Sequence, residues 1–253
     1  MDNYTEPNLT DLVFLKKYLL EKANELKDDS YSNLISNLDS LKSVFPFNEY
    51  EYIISHLLGY DIFDIEEYKD IRQSYIDQNP FLFVYELFAP RSFGETWAQA
   101  HLKAVAPDLV KPSKRLDPKY SGQYDFLLDE NIHIELKASR ACDSTSNKPL
   151  YEKALSSKTS QAFWMNFQQV KTDCADVFVC MGIFTDIIQY WVLSADDLKN
   201  HESYSRGQHR GNYDKEGQIG ITDKNIHLFK KFLTEPGDLI QAIRDKYNKQ
   251  MKK

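Results

Sequence analysis

The chain has little that would hold a transition metal or cross a bilayer. Its three cysteines, Cys142, Cys174 and Cys180, show no metal-ligand spacing, and its six histidines form no HxxxH or HxH pair. Both absences argue against a zinc site. An odd, sparse set of thiols suggests reduced cysteines in a cytoplasm. No apolar run approaches the roughly 20 residues of a membrane span. The opening MDNYTEPNLTDLVFLKKYLL sets acids before its apolar part and has no positive leading region, so no secretory signal is expected. Net positive charge is absent too, since the 253 residues carry −7.

As an average, that charge argues against a nucleic-acid partner. Its distribution alters the picture. Residues 1–90 hold seven Lys/Arg against seventeen Asp/Glu, whereas the remaining residues hold 24 against 21. Phosphate contacts need local positive charge rather than a high isoelectric point, so the second part is compatible with DNA. The division suggests two regions. Residues 1–90 read as helical from Leu and Val at three- and four-residue spacings, in runs such as SNLISNLDSLKSVF, PFNEYEYIISHLLGY and DIEEYKDIRQSYIDQ. They offer packing, dimerisation or an arm against DNA. Residues 91–253 carry the candidate chemistry.

The informative stretch is GQYDFLLDENIHIELKAS, residues 122–139. Ile132, Ile134, Leu136 and Ala138 alternate with His133, Glu135 and Lys137, the period of a strand with one apolar face. YDFLL before it behaves similarly, and Asp129-Glu130-Asn131 suits a hairpin loop. A three-residue loop sets Leu128 opposite Ile132 and therefore Asp125 opposite Glu135, with Cβ atoms roughly 5 Å apart. Lys137 projects from the same face. Opposed carboxylates repel unless a positive charge sits between them. A divalent cation with oxygen ligands removes the conflict, and magnesium suits a site of one or two carboxylates that keeps waters for a phosphate to replace. The other reading is a solvated hairpin face with an ordinary Glu–Lys surface pair.

Asp125, nine intervening residues, then Glu135-Leu136-Lys137 resembles the PD-(D/E)xK nuclease signature, found in most type II restriction endonucleases. Tyr124 stands where that pattern usually has Pro. The resemblance implies that Asp125 and Glu135 bind Mg²⁺, that the Leu136 carbonyl supplies another ligand, and that Lys137 orients or deprotonates the attacking water. It also implies a Glu near the start of the preceding helix, a place that Glu95 in SFGETWAQAHLKAVAP matches. Glu95 could equally just favour the helix dipole. The expected fold is α/β (α+β, with a mixed sheet): a restriction-endonuclease-like αβββαβ core with an N-terminal helical region, covering roughly residues 92–194. In that reading TSQAFWMNFQQVK is a helix, because Phe163, Phe167 and Val170 recur at four- and three-residue spacing. DVFVCMGIF and IIQYWVLS are strands, ADDLKNH is a short helix, and a further strand lies near LVKPSKRLD. The tail PGDLIQAIRDKYNKQMKK is an amphipathic packing helix.

Two basic stretches are candidates for DNA. HESYSRGQHRGNYDKEGQIGIT offers Arg206, Gln208, His209, Arg210 and Asn212, types suited to base edges. Lys111, Lys114, Arg115 and Lys119, just before the hairpin, could hold phosphates and fix register. Surface loops and solvated lysines are the plain alternatives. The functional expectation is a Mg²⁺-dependent type II restriction endonuclease cutting double-stranded DNA. By family implication it works as a homodimer on a palindrome, beside a cognate DNA methyltransferase that protects host DNA. A repair or recombination nuclease of the same fold, and a non-enzymatic helical interaction protein, are the alternatives.

Overall fold

The structure is a computed structural model that describes residues 12–26, 31–32, 34–35, 48–86, 92–148, 150–207 and 216–252. The chain divides into two compact units. The first comprises Met1–Glu86, Ser146–Ser160 and Phe184–Ile187, and the second comprises Leu87–Thr145, Gln161–Ile183 and Ile188–Lys253. Two excursions from the second part of the chain therefore belong with the first unit.

In the first unit, helices α1 (Leu12–Ala23) and α2 (Asn48–Gly59) bury Leu19, Ile53 and Leu57. Helix α3 (Ile65–Gln78) starts where the Asp64 carboxylate accepts from the N–H groups of Glu66 and Glu67, at 2.8 and 2.7 Å. This satisfies two of the donors that a helix start leaves open. The apolar PFLFVYELFAP run forms a 3₁₀ turn over Leu82–Glu86. The run SNLISNLDSLKSVF lies largely outside the described residues.

The second unit is a mixed α/β arrangement of two sheets. A π-helical turn, Ser92–Ala98, continues into α4 (Gln99–Val105). Hairpin strands β1 (Phe126–Leu128) and β2 (Ile132–Arg140) follow. Next come β3 (Cys142–Asp143), β4 (Phe163–Val170), β5 (Val177–Ile183) and β6 (Ile188–Ser194). Helix α5 (Ala195–Lys199), β7 (Tyr204–Arg206), β8 (Gly217–Thr222), α6 (Ile226–Phe229), β9 (Leu233–Thr234) and α7 (Leu239–Met251) complete it. The first sheet runs β1-β2-β5-β6-β9 and the second β3-β4-β8-β7. Strands β2 and β5 are parallel, and the other pairs in both sheets are antiparallel. Every residue of β5 is buried, as its continuous apolar sequence requires of a central strand.

The hairpin has the expected register, with Phe126, Leu127 and Leu128 opposite Ile134, His133 and Ile132. Its turn places Asp129 and Glu130 at φ of 50° and 64°, the left-handed region. Arg244 of α7 grips that turn with two hydrogen bonds to the Asp129 carboxylate, at 2.7 and 2.9 Å. The strand expected near LVKPSKRLD is reduced to one antiparallel bridge, Val110 to Leu127.

The helix expected over TSQAFWMNFQQVK is instead strand β4. Phe163, Met165 and Phe167 are buried and alternate with more exposed Trp164 and Asn166, which is strand periodicity. The pairing with β8 then slips between Phe167 and Val170, where Gln169 has a φ of 55°. This bulge spaces Phe167 and Val170 three apart, imitating a helical repeat. The parallel connection between β2 and β5 therefore runs through the second sheet. Among the described residues, no helix is long and apolar enough to cross a membrane.

Gly182 of β5 is a position where this packing leaves no room for a side chain. A Cβ there would lie 2.6 Å from Trp191 Cζ3 and 2.7 Å from Met165 Sδ. Gly182→Ala is expected to destabilise the protein by about 1–3 kcal/mol through overpacking. Urea unfolding should show a lower midpoint at an unchanged slope.

Candidate active site

Strand β1 begins only at Phe126, so the edge of β2 beyond Ile134 has no strand partner on that side. Asp125 fills the gap. Its N–H donates to the Ile134 carbonyl at 2.9 Å, and its Oδ2 accepts from the Leu136 N–H at 2.9 Å. Asp125 therefore does not pair squarely with Glu135 across the ladder, as the alternation alone predicts. It leaves the ladder and brackets Glu135, through its backbone on one side and its carboxylate on the other. Because N–H and C=O of one strand residue point to the same edge, the Leu136 carbonyl also faces the Asp125 side.

Glu135 and Lys137 project from the same face of β2 into a cleft of about 490 Å³. Asp125, Leu136, Gln99 of α4 and Asn166 of β4 also line it. Lys137 Nζ lies 2.7 Å from Glu135 Oε1, with side-chain exposures of 16% and 15%. A pair this enclosed is not the solvated surface bridge of the plain alternative. Burial pushes the Glu135 carboxyl above its usual range; the Lys137 ammonium opposes that shift, and the Asp125 charge adds to it. Two acids thus share one small, partly dry space, neutralised on one side by an amine.

The other Asp125 oxygen, Oδ1, accepts from Gln99 Nε2 at 2.6 Å. Lys111 Nζ in turn donates to Gln99 Oε1 and stands 4.3 Å above the Phe126 ring centre. Burial lowers the pKa of Lys111, and the Asp125 charge opposes this. At the far wall, Lys171 pairs with Glu216 at 3.3 Å. Gln168 and Gln169 reach the cleft from the β4 bulge.

The lining chemistry suits a hard, oxygen-seeking cation. Carboxylates and side-chain amides line the space together with Leu136, and among the described residues no His, Cys or Met lines it. Among the described residues no cluster of three or more His, Cys, Asp or Glu forms, so an ion here would rest on two carboxylates, backbone and water.

The remaining candidates lie elsewhere. Glu95 sits in the Ser92–Ala98 turn, its side chain outside the described residues. Lys114, Arg115 and Lys119 are exposed on the loop before the hairpin and do not line the cleft. Arg206 is exposed at the end of β7, the edge of the second sheet, and also lies off the cleft. Gln208, His209, Arg210 and Asn212 fall outside the described residues. Gln99, Asn166 and Lys171 were not singled out from sequence. Only Gln99 carried a usable signal, one helical turn after Glu95.

No family model matches the chain, and no curated protein matches it. Among solved structures, similarity is found to the ChsE4-ChsE5 complex from Mycobacterium tuberculosis, at 10% identity and a TM-score of 0.22, covering 96% of this chain and 61% of that one. A complex of TdsC from Paenibacillus sp. A11-2 with FMN and indole matches at 12% and 0.24, covering 90% and 55%. An FAD-dependent dehydrogenase matches at 14% and 0.22, covering 97% and 62%. The chain thus spans less than two thirds of each of these longer chains. Likeness at such scores carries no argument about fold or chemistry.

The enclosed pair has a pH signature. Because the folded-state pKa of Glu135 is raised above its ordinary value, its contribution to stability is fully present below that value and is lost as pH rises through the folded one. Lys137→Met removes the opposing ammonium and enlarges this loss. The variant should therefore be destabilised at pH 8 by about 3 kcal/mol, the order expected when one partner of a buried pair is removed. The deficit should shrink as the buffer is taken down to pH 4. Thermal unfolding across that range checks it; a pH-independent deficit would contradict the assignment.

Proposed function

We propose that this protein is a Mg²⁺-dependent endonuclease that hydrolyses phosphodiesters of double-stranded DNA, in the manner of a type II restriction enzyme. The observation that carries the reading is the convergence of Asp125, Glu135 and Lys137 on one cleft, with the Leu136 carbonyl edge turned toward Asp125. The resemblance to the PD-(D/E)xK signature supports it. The helix, hairpin and parallel strand formed by α4, β1, β2 and β5 are compatible with a restriction-endonuclease-like core, although β4 stands where that core was expected to have a helix.

Asp125, Glu135 and the Leu136 carbonyl would hold the metal. When bound, Mg²⁺ supplies positive charge that offsets the charge gathering on the phosphate and brings a coordinated water close to it. The protein's own groups do the rest. Lys137, released from Glu135, holds the attacking water by hydrogen bonding. The water oxygen forms the new bond to phosphorus as the opposite P–O ester bond breaks in line; the proton of the attacking water passes to solvent, and the departing oxygen takes a proton from solvent water. The walls of the cleft limit access of bulk water, which strengthens these charge interactions.

Lys114, Arg115 and Lys119 are assigned to phosphate contacts flanking the scissile bond, and Arg206 with Gln208, His209, Arg210 and Asn212 to base edges. Cleavage of both strands of a palindrome calls for two such sites, hence a homodimer of two-fold symmetry. A companion DNA methyltransferase would protect the host's own sites, and the working compartment is the cytoplasm.

The reading is tested by incubating plasmid and phage DNA with the purified protein and Mg²⁺. Discrete fragments are expected, with none in EDTA. Lys137→Ala should bind DNA in a gel-shift assay and cleave at least about 100-fold more slowly. Intact DNA after incubation with a folded wild-type protein would overturn the proposal.

A further inference from the structure

The Asp125 carboxylate is held from two directions, and this arrangement has a purpose if the acid pair binds a cation. Each carboxylate oxygen carries two lone pairs. One on Oδ2 is used by the Leu136 N–H at 2.9 Å, and one on Oδ1 by Gln99 Nε2 at 2.6 Å. The clamp fixes the plane of the carboxylate. Backbone supplies the first hold and cannot be removed by substitution. Gln99 supplies the second, and its own orientation is set from behind. A glutamine amide can present either its oxygen or its nitrogen to a neighbour. The Lys111 ammonium has only donors, so it selects the oxygen and turns the NH₂ toward Asp125. Lys111 is steadied against the Phe126 ring, at the end of the strand that leads out of Asp125. The same chain of contacts therefore ties loop, helix and hairpin to one oxygen atom.

We infer that Gln99 is a positioning residue for the metal site, and that Lys111 sets the orientation of Gln99 by fixing which end of the amide meets Asp125. This inference rests on the proposed metal-binding role of Asp125 and Glu135. Outer groups that orient a ligand are commonly worth 10- to 100-fold in metal affinity. Where one group sets the orientation of another, their separate losses do not multiply in the double variant.

The test is calorimetric titration of the DNA-free protein with Mg²⁺, and separately with Ca²⁺, so that no catalysis enters the readout. Gln99→Leu keeps the bulk and removes the donor. It is expected to weaken binding about 10-fold or more, at an unchanged stoichiometry. Gln99→Leu should cost less in the Lys111→Met background than in the wild type, a comparison from which the direct effect of the Lys111 charge on Asp125 cancels. Circular dichroism of each variant distinguishes a folded protein from an unfolded one. Should Gln99→Leu fail to fold, Gln99→Met carries the same test, alone and in the Lys111→Met background. Wild-type affinity in folded Gln99→Leu, or independent, multiplying losses in the double variant, would overturn the inference while leaving the metal site standing. A wild-type protein that binds neither cation would overturn both.

Discussion

Two carboxylates that share a partly dry space must be reconciled, and much of the second unit is arranged around that requirement. Glu135 lies on a strand whose other face is core, so it cannot turn away to solvent without breaking the alternation of β2. Asp125 is fixed by two hydrogen bonds. The charge conflict is met by Lys137, two residues along the same face, at 2.7 Å. A lysine in this position is a mobile counter-charge. It neutralises the acids while the cleft holds nothing else, and its flexible stem lets it yield that role.

The scaffold makes this geometry stiff. Strand β2 is held by β1 on one side and by fully buried β5 on the other. The hairpin turn, with two residues in the left-handed region, is gripped by Arg244 from the C-terminal helix. That helix buries Leu239 and Ile243. The late start of β1 gives the site its character, since it frees the edge of β2 at Leu136 for a side chain and, on the proposed reading, a ligand. A longer β1 would satisfy Leu136 with backbone and leave Asp125 no reason to fold inward.

Much of this was legible in the sequence, because the features concerned are local. The hairpin register follows from period-two alternation and a three-residue loop. Strand β5 follows from its unbroken apolar run, and α7 from its amphipathic spacing. The misread element was also local, but irregular. One extra residue at Gln168–Gln169 changes a step of two into a step of three, and the buried aromatics of β4 then mimic a helix. The departure of Asp125 from the ladder could not be read, since alternation says nothing about where a strand stops. Gln99 was illegible for a different reason: it lies 26 positions before Asp125, and only the folded chain brings it there. Lys111 stands out in the sequence as a basic residue before the hairpin, but its hold on Gln99 does not. The division near residue 90 shows in composition, whereas the return of Ser146–Ser160 and Phe184–Ile187 to the first unit leaves no mark there.

The most direct test of the central claim is to place a cation where the acids converge and look. Crystals of the DNA-free protein soaked in Mn²⁺, measured at the manganese absorption edge, report the ion's position without reference to activity. The account predicts one anomalous peak in contact with both the Asp125 and Glu135 carboxylates, with Lys137 swung off Glu135. A map without that peak at saturating Mn²⁺, with Lys137 still seated on Glu135, would contradict it.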